Sequence, residues 1–319
     1  MYKVALLGEF HESWKELLKK NNINLVETFE YDPDHLKKTL VDCDGIGIRT
    51  SILTEEILSS CSKLKIVARH GVGYDNVDID YLNQKKIPLA VTGKSNSVSV
   101  AEHVIALFLS LSRRIIDCHN LVKKGDFANK RLIKKTLEIF NKKVLIIGYG
   151  RIGREVAKRL SAFDCEILIY DPYIENKKID ISPHIFIDFE TGLKEADFIT
   201  IHTPLSVDTT NLISKNEFSL MKNDVILINT SRGGIVNEGD LKAALDEEKI
   251  LGAGLDVFSK EPPDNNDPIL SAKNIIFTPH NSALTIECRS RMSIETAENI
   301  LNHLQNKTNV DNIVNKHIL

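Results

Sequence analysis

Apolar residues recur along this chain in short unbroken runs of four or five, separated by stretches in which they return every three or four positions. That alternation predicts buried parallel strands joined by amphipathic helices, the pattern of an α/β protein. In the first segment, strands are expected at Lys3–Leu7, Gly45–Ile48, Lys65–Ala68 and Pro88–Ala90. Helices are expected between them near Trp14–Lys20, Pro33–Leu40, Thr54–Cys61 and Ile79–Lys85. The strand series restarts at Val144 and continues at Glu166–Tyr170, Phe198–His202, Val225–Asn229, Ala253–Asp256 and Ile275–Thr278. Between the two series lies Ser99–Leu111, apolar nearly all round, which predicts a helix buried between domains or at a subunit interface. A last helical pattern, Thr285 to Leu304, is placed to return the chain to the first domain.

One strand-to-helix junction carries chemistry. Lys143-Val144-Leu145-Ile146-Ile147 runs into Gly148-Tyr149-Gly150-Arg151-Ile152-Gly153 and then into a helical pattern from Arg151. In a G-x-G-x-x-G junction, Gly148 permits the tight turn and Gly150 lets a pyrophosphate approach bare backbone. Gly153 lets the helix pack close to the strand. The N–H groups and dipole at the helix start then favour an anion. Asp171 ends the next strand, eighteen residues beyond Gly153, near the spacing of a ribose-binding acid. Its carboxylate suits two ribose hydroxyls and would repel a 2′-phosphate. Pro172-Tyr173-Ile174 offers no arginine for such a phosphate, although Lys177 and Lys178 lie a little further on. NAD is therefore favoured over NADP.

The first segment has a flavodoxin-like pattern, but its first turn, Gly8-Glu9-Phe10, lacks the phosphate fingerprint. The expected fold is α/β with two Rossmann-type doubly wound parallel-sheet domains and an interdomain cleft. Residues 1–97 with 284–319 form a flavodoxin-like substrate domain, and residues 98–283 form an NAD-binding Rossmann domain.

Composition narrows the function. The 319 residues suffice for two cores, and 42% apolar with 27% charged residues is ordinary for a soluble globular protein. A net charge of −3 without a basic block argues against nucleic acid, and the Lys130–Lys135 patch reads as a solvated face or loop. Met1 to Gly8 reads as a first strand rather than a secretory signal, and Val104–Leu111 is too short to span a bilayer. Cys43, Cys61, Cys118, Cys165 and Cys288 include no C-x-x-C pair. They are expected to be reduced thiols in a cytoplasmic protein, with no metal or disulfide framework.

Three polar residues fall where strands of the second series end, the edge at which open α/β sheets bind ligands. Arg232, before Gly233-Gly234, is suited to bidentate capture of a carboxylate or to a plain surface turn. Glu261 precedes Pro262-Pro263, and His280 follows Thr278-Pro279. On spacing alone both also read as structural.

The motifs together resemble the D-isomer-specific 2-hydroxyacid dehydrogenases. The resemblance is carried by Gly148–Gly153, Asn229-Thr230-Ser231-Arg232-Gly233-Gly234, Gly252-Ala253-Gly254-Leu255-Asp256-Val257-Phe258, Glu261-Pro262 and Thr278-Pro279-His280, in that order. Arg69 to Asp78 and Asn96 to His103 extend it over the first segment. It implies an NAD-dependent oxidoreductase that moves hydride between nicotinamide and C2 of a small 2-hydroxy acid. In that role Arg232 anchors the substrate carboxylate, and His280 is general acid in reduction and general base in oxidation. Glu261 hydrogen-bonds the imidazole and stabilises its protonated form. The implied cofactor contacts are Gly148, Gly150, Arg151, Ile152, Gly153, Asp171, Thr203, Pro204, Thr230 and Asp256, with Asp256 facing the nicotinamide side, although Asp256 also reads as a strand-end cap and Thr203-Pro204 as a loop turn. Backbone N–H groups at Val72 and Gly73, with Asn96 nearby, would receive the substrate, although Gly73 also reads as a turn glycine. His202 and His103 read as structural or cofactor-adjacent.

The substrate stays open between D-3-phosphoglycerate and unphosphorylated acids such as glyoxylate or hydroxypyruvate. Arg49, in Ile48-Arg49-Thr50, sits where a phosphate-binding arginine is found in phosphoglycerate-specific relatives, and in others too. A chain ending at Leu319 leaves no room for the regulatory domain of the longer ones. The retained Glu261 disfavours formate dehydrogenase. The resemblance implies a homodimer with Ser99–Leu111 at its interface, closing over its cofactor, and no nucleic-acid or membrane partner. The non-enzymatic alternative is a dinucleotide-sensing scaffold like the corepressors that share this fold.

Overall fold

The computed structural model describes residues 1–133, 135–173 and 182–319. Lys134 of the basic patch, Ile174, Lys177 and Lys178 lie outside the described residues. The chain forms two compact units, Met1–Ser97 with Ala283–Leu319, and Val98–Ser282.

The first unit is a parallel sheet of β1 (Lys3–Leu7), β2 (Asn24–Thr28), β3 (Gly45–Ile48), β4 (Ile66–Arg69) and β5 (Leu89–Val91). Their order, β2-β1-β3-β4-β5, is the flavodoxin-like one. The two-residue period of a strand sends alternate side chains to opposite layers. Ala5 and Leu7 pack with Leu36, Leu40 and Leu58 on one face. Val4 and Leu6 pack on the other with Trp14, Leu18 and the helix Ile286–Leu304. That helix starts where Thr285 accepts a hydrogen bond from Cys288 N, and it belongs to this unit. Gly47 is imposed by packing, because a Cβ there would come 2.3 Å from the Trp14 ring.

Three expectations need adjustment. β2 was not anticipated: it is an edge strand with Asn24 and Glu27 exposed, so it lacks the apolar run that marks its neighbours. The helix expected over Thr54–Cys61 contracts to Glu55–Leu58. β4 and β5 each begin one residue late, since terminal apolar residues do not mark where pairing starts.

The second unit is a seven-stranded parallel sheet. Its strands are β6 (Lys143–Ile147), β7 (Glu166–Tyr170), β8 (Ile185–Phe186), β9 (Phe198–Ile201), β10 (Ile226–Asn229), β11 (Gly252–Leu255) and β12 (Ile275–Phe277). The order β12-β11-β10-β9-β6-β7-β8 is that of a dinucleotide-binding fold with one further strand. The chain runs outward from β6 through β7 and β8, then restarts on the other side at β9. The point of reversal lies between β6 and β9, where such sheets open a crevice at their carboxyl ends.

The helix Ser97–Ser112 is buried on one side only. Val100, Ala101, Val104, Leu107 and Phe108 are buried, and from Ala101 onward they join the core of the second sheet, while Glu102 and Ala106 are exposed. The following helix, Ile115–Lys123, buries no residue, and Phe127 is 73% exposed in the 3-10 turns after it. Among the described residues, no helix is long and apolar enough to cross a membrane.

Candidate active site

At the carboxyl end of β6 the glycines divide by function. Gly148 has a φ of +93°, and a Cβ on it would sit 2.8 Å from the His202 carbonyl oxygen. A Cβ on Gly153 would lie 2.2 Å from the Gly148 carbonyl oxygen, with Ile146 next at 3.2 Å. The turn needs Gly153 more than the strand does. Gly150, the N-cap of helix Arg151–Ser161, differs: a Cβ there would meet nothing within 4 Å. Its bare backbone faces open space, which benefits only a group from outside the chain. Arg151 and Ile152 fill the first turn, both half-buried.

Asp171 stands just past β7 and is 5% exposed. Its Oδ2 accepts from Tyr149 N at 3.0 Å and its Oδ1 from Tyr173 N at 2.9 Å, so main-chain donors hold the carboxylate beside the glycine turn. Past β9, His202 N donates to the Ile147 carbonyl at 2.7 Å, and the His202 ring meets Thr200 Oγ1 at 3.0 Å. Burial pushes the His202 imidazole down to about 3, so it is neutral and fits its structural reading. Thr203 Oγ1 and Thr230 Oγ1, beyond β9 and β10, are buried with no hydrogen-bond partner. A buried polar group left unmatched costs about 1–3 kcal/mol, which a bound hydroxyl or phosphate oxygen would recover. Pro204 is exposed, and its carbonyl accepts from Thr209 Oγ1. An open glycine backbone, a fixed carboxylate and two orphan hydroxyls fit a dinucleotide.

Beyond β10, Asn229 shapes the loop that carries Arg232. Its Nδ2 donates to the Arg232 carbonyl at 2.9 Å, and its Oδ1 accepts from Ser231 N at 3.0 Å and Ser231 Oγ at 2.8 Å. Asn229 belongs to the motif that carries Arg232, but its part in shaping the loop is not visible from the motif. The available signal was an asparagine at a strand end before a turn. Gly233 is required by close approach, since a Cβ would fall 1.9 Å from the Phe258 carbonyl oxygen. The Arg232 loop thus lies against the loop that leads to Glu261.

Glu261 and His280 are in direct contact, with His280 Nδ1 2.7 Å from Glu261 Oε2. Phe258 N donates to Glu261 Oε1 at 3.0 Å, which orients the carboxylate. The Nδ1 contact leaves Nε2 as the ring nitrogen available for proton exchange, on a side chain 47% exposed.

The Asp256 side chain is turned inward. It is 0% exposed, and both oxygens are committed to the turn that carries His280. Oδ1 meets Thr278 Oγ1 at 2.5 Å and accepts from Asn281 N at 2.9 Å, while Oδ2 accepts from Ser282 N at 3.0 Å. A strand-end position does not say which way a side chain points. His103, on helix Ser97–Ser112, places Nε2 3.0 Å from Thr278 Oγ1.

In the first unit, Val72 is exposed and Gly73 half-buried, and the positive φ belongs to Gly71 at 131° rather than to Gly73. Asn96 is buried, with Oδ1 unpartnered. Arg49, past β3, donates to the Glu9 carbonyl at 3.4 Å, while Arg289 pairs with the Glu9 carboxylate at 3.4 Å. Burial, then the charge of Arg289, holds the Arg49 guanidinium below its usual range. The buried His70 ring contacts Ser293 Oγ at 3.2 Å, and burial with the charges of Arg49 and Arg69 pushes it down to about 3.

Comparison with known proteins agrees with this geometry. Residues 105–282 match the family described as D-isomer specific 2-hydroxyacid dehydrogenase, NAD binding domain. The chain is 34% identical over 301 residues to a D-3-phosphoglycerate dehydrogenase of Archaeoglobus fulgidus, covering 94% of this chain but only 57% of that protein. It is 35% identical over 306 residues to a hydroxypyruvate reductase of Thermotoga maritima, covering 95% of this chain and 98% of that one. A crystal structure of D-lactate dehydrogenase from Aquifex aeolicus, complexed with NAD and lactic acid, superposes with a TM-score of 0.82 at 28% identity over 98% of both chains. Motif order, sheet topology and overall similarity converge, and the chain belongs to the D-isomer specific 2-hydroxyacid dehydrogenases.

Proposed function

We propose that the protein is an NAD-dependent dehydrogenase interconverting D-2-hydroxy acids and 2-keto acids. The observation that carries the proposal is the 2.7 Å His280–Glu261 pair. It is an acid–base group with its orienting carboxylate, on a strand-end turn of a sheet whose glycine junction fits a dinucleotide. When bound, NADH supplies the hydride that reaches C2 of the keto acid. Arg232 holds the substrate carboxylate through paired N–H donors and draws electron density from the neighbouring carbonyl. As negative charge develops on the carbonyl oxygen, His280 Nε2 gives it a proton, and Glu261 offsets the charge of the imidazolium. In oxidation the same nitrogen takes the hydroxyl proton.

Asp171 would hold the adenosine ribose and select against a 2′-phosphate. Arg49 supports a substrate with a second anionic group, because it is a half-buried guanidinium with a long bond to a carbonyl and a like-charged neighbour. The decisive assay is NADH oxidation with glyoxylate, hydroxypyruvate, pyruvate, a branched 2-keto acid and 3-phosphohydroxypyruvate, repeated with NADPH and with Asp171→Asn. Turnover of at least one acid is expected. The Asp171→Asn variant should lower the NADH-over-NADPH preference about tenfold or more, the effect of ~1.4 kcal/mol. An unaltered preference would place selectivity elsewhere, and tight NADH binding without any turnover would favour the sensing scaffold.

The protein is expected to work as a homodimer. Ile115, Ile116, Val122, Phe127 and Leu132 are exposed apolar side chains along the segment that continues helix Ser97–Ser112, and a second copy would cover them. A monomeric mass by light scattering would contradict this. Burial pushes the Cys43 and Cys165 thiols up to about 11, and two such unreactive thiols fit a cytoplasmic protein.

A further inference from the structure

We propose that His103 and Thr278, acting on Asp256, are positioning residues that hold the His280 turn in its working shape. The inference rests on the reading of His280 as the acid–base group.

The Asp256 carboxylate is fully buried and accepts the main-chain N–H groups of Asn281 and Ser282. Thr278 Oγ1 donates to Oδ1 of the same carboxylate at 2.5 Å, beside the bond that Oδ1 accepts from Asn281 N. Its single proton is then spent. Thr278 Oγ1 is left as an acceptor toward His103 Nε2, 3.0 Å away, so Nε2 must carry a hydrogen. The relay has one direction: His103 Nε2–H to Thr278 Oγ1–H to Asp256 Oδ1.

The turn needs such a relay. His280 has a φ of +49°, a left-handed conformation that a residue other than glycine adopts at a cost and keeps only where its surroundings impose it. Asp256 imposes it from the far side by holding Asn281 N and Ser282 N. Thr278 holds the near side, and its backbone N donates to the Leu255 carbonyl. His103 ties the assembly to the body of helix Ser97–Ser112, whose apolar face is locked in the core beside β11. Asp256 therefore acts on both sides of the imidazole, through the Thr278 hydroxyl before it and the Asn281 and Ser282 main-chain donors after it. A rotation of the turn would carry Nε2 away from the reacting oxygen while leaving the dinucleotide cradle beyond β6 untouched.

The test compares Thr278→Val, Thr278→Ser, His103→Leu and the Val/Leu double variant in keto-acid reduction. NADH dissociation constants, by quenching of protein fluorescence, and Tm are measured alongside. Thr278→Val keeps the shape but removes the hydroxyl, and is expected to lower kcat ~10- to 100-fold, with the NADH constant within about twofold of the parent. Thr278→Ser should recover most of the loss. His103→Leu should also lower kcat, and the double variant should fall no further than the worse single one, as members of one relay do. Parent-like kcat in Thr278→Val would overturn the proposal, as would Ser failing as badly as Val, or losses that simply add. If Thr278→Val does not fold, Ser rescue of Tm without His103→Leu lowering kcat would also overturn it. His280→Gln in the same series separates the two ideas: if it turns over normally, the acid–base reading itself fails.

Discussion

Replacing His280 by alanine is expected to lower kcat for keto-acid reduction ~10²- to 10⁴-fold, the contribution of a positioned proton donor. The NADH dissociation constant should stay near that of the parent. The split follows from the structure: the glycine turn, Asp171, Thr203 and Thr230 follow β6, β7, β9 and β10, whereas His280 follows β12. Removing the ring also removes the partner of Glu261 Oε2, but Glu261 keeps its bond from Phe258 N, so its loop retains an anchor. Stopped-flow NADH oxidation with the best keto acid, together with equilibrium NADH titration, measures both quantities. Parent-like turnover would remove His280 as the acid. A large loss of NADH affinity would mean that the ring serves the cofactor instead.

How much of this was legible in the sequence depended on whether chemistry or direction was at stake. The glycine junction was readable because each position answers a separate steric demand, although Gly153 clears the Gly148 carbonyl of the turn more than it clears the strand. The strands of the second sheet were readable because burial on both faces leaves unbroken apolar runs, whereas β2 at an edge and the two-residue β8 leave none. Asp256 could be placed at a strand end but left between a cofactor-facing role and a strand-end cap, because strand register does not fix which neighbour a carboxylate turns to. His103 lies 175 residues from Thr278, and no local pattern could pair them. The helix Ser97–Ser112 looked apolar all round because its outward side mixes half-buried Ile105 and Leu109 with Ala106. One-sided burial shows only once the sheet beneath it is built.

Arg232→Ala is the second large effect. A bidentate guanidinium–carboxylate contact contributes hydrogen bonds to charged groups worth about 1.5–3 kcal/mol each. Losing both should lower kcat/KM for the keto acid ~10²- to 10⁴-fold, with most of the change in KM if the contact is uniform between ground and transition states. A fall in kcat of similar size would show that Arg232 also stabilises charge developing on the carbonyl oxygen. Arg232→Lys separates charge from geometry, because lysine keeps the charge but cannot present two parallel donors in a fixed plane. Poor recovery in Arg232→Lys is the expected result, since Asn229 and the close approach of Gly233 to Phe258 hold the loop so that only the head group differs. Undiminished saturation by keto acid in Arg232→Ala would refute the carboxylate anchor. The carboxylate would then have to rest on other donors.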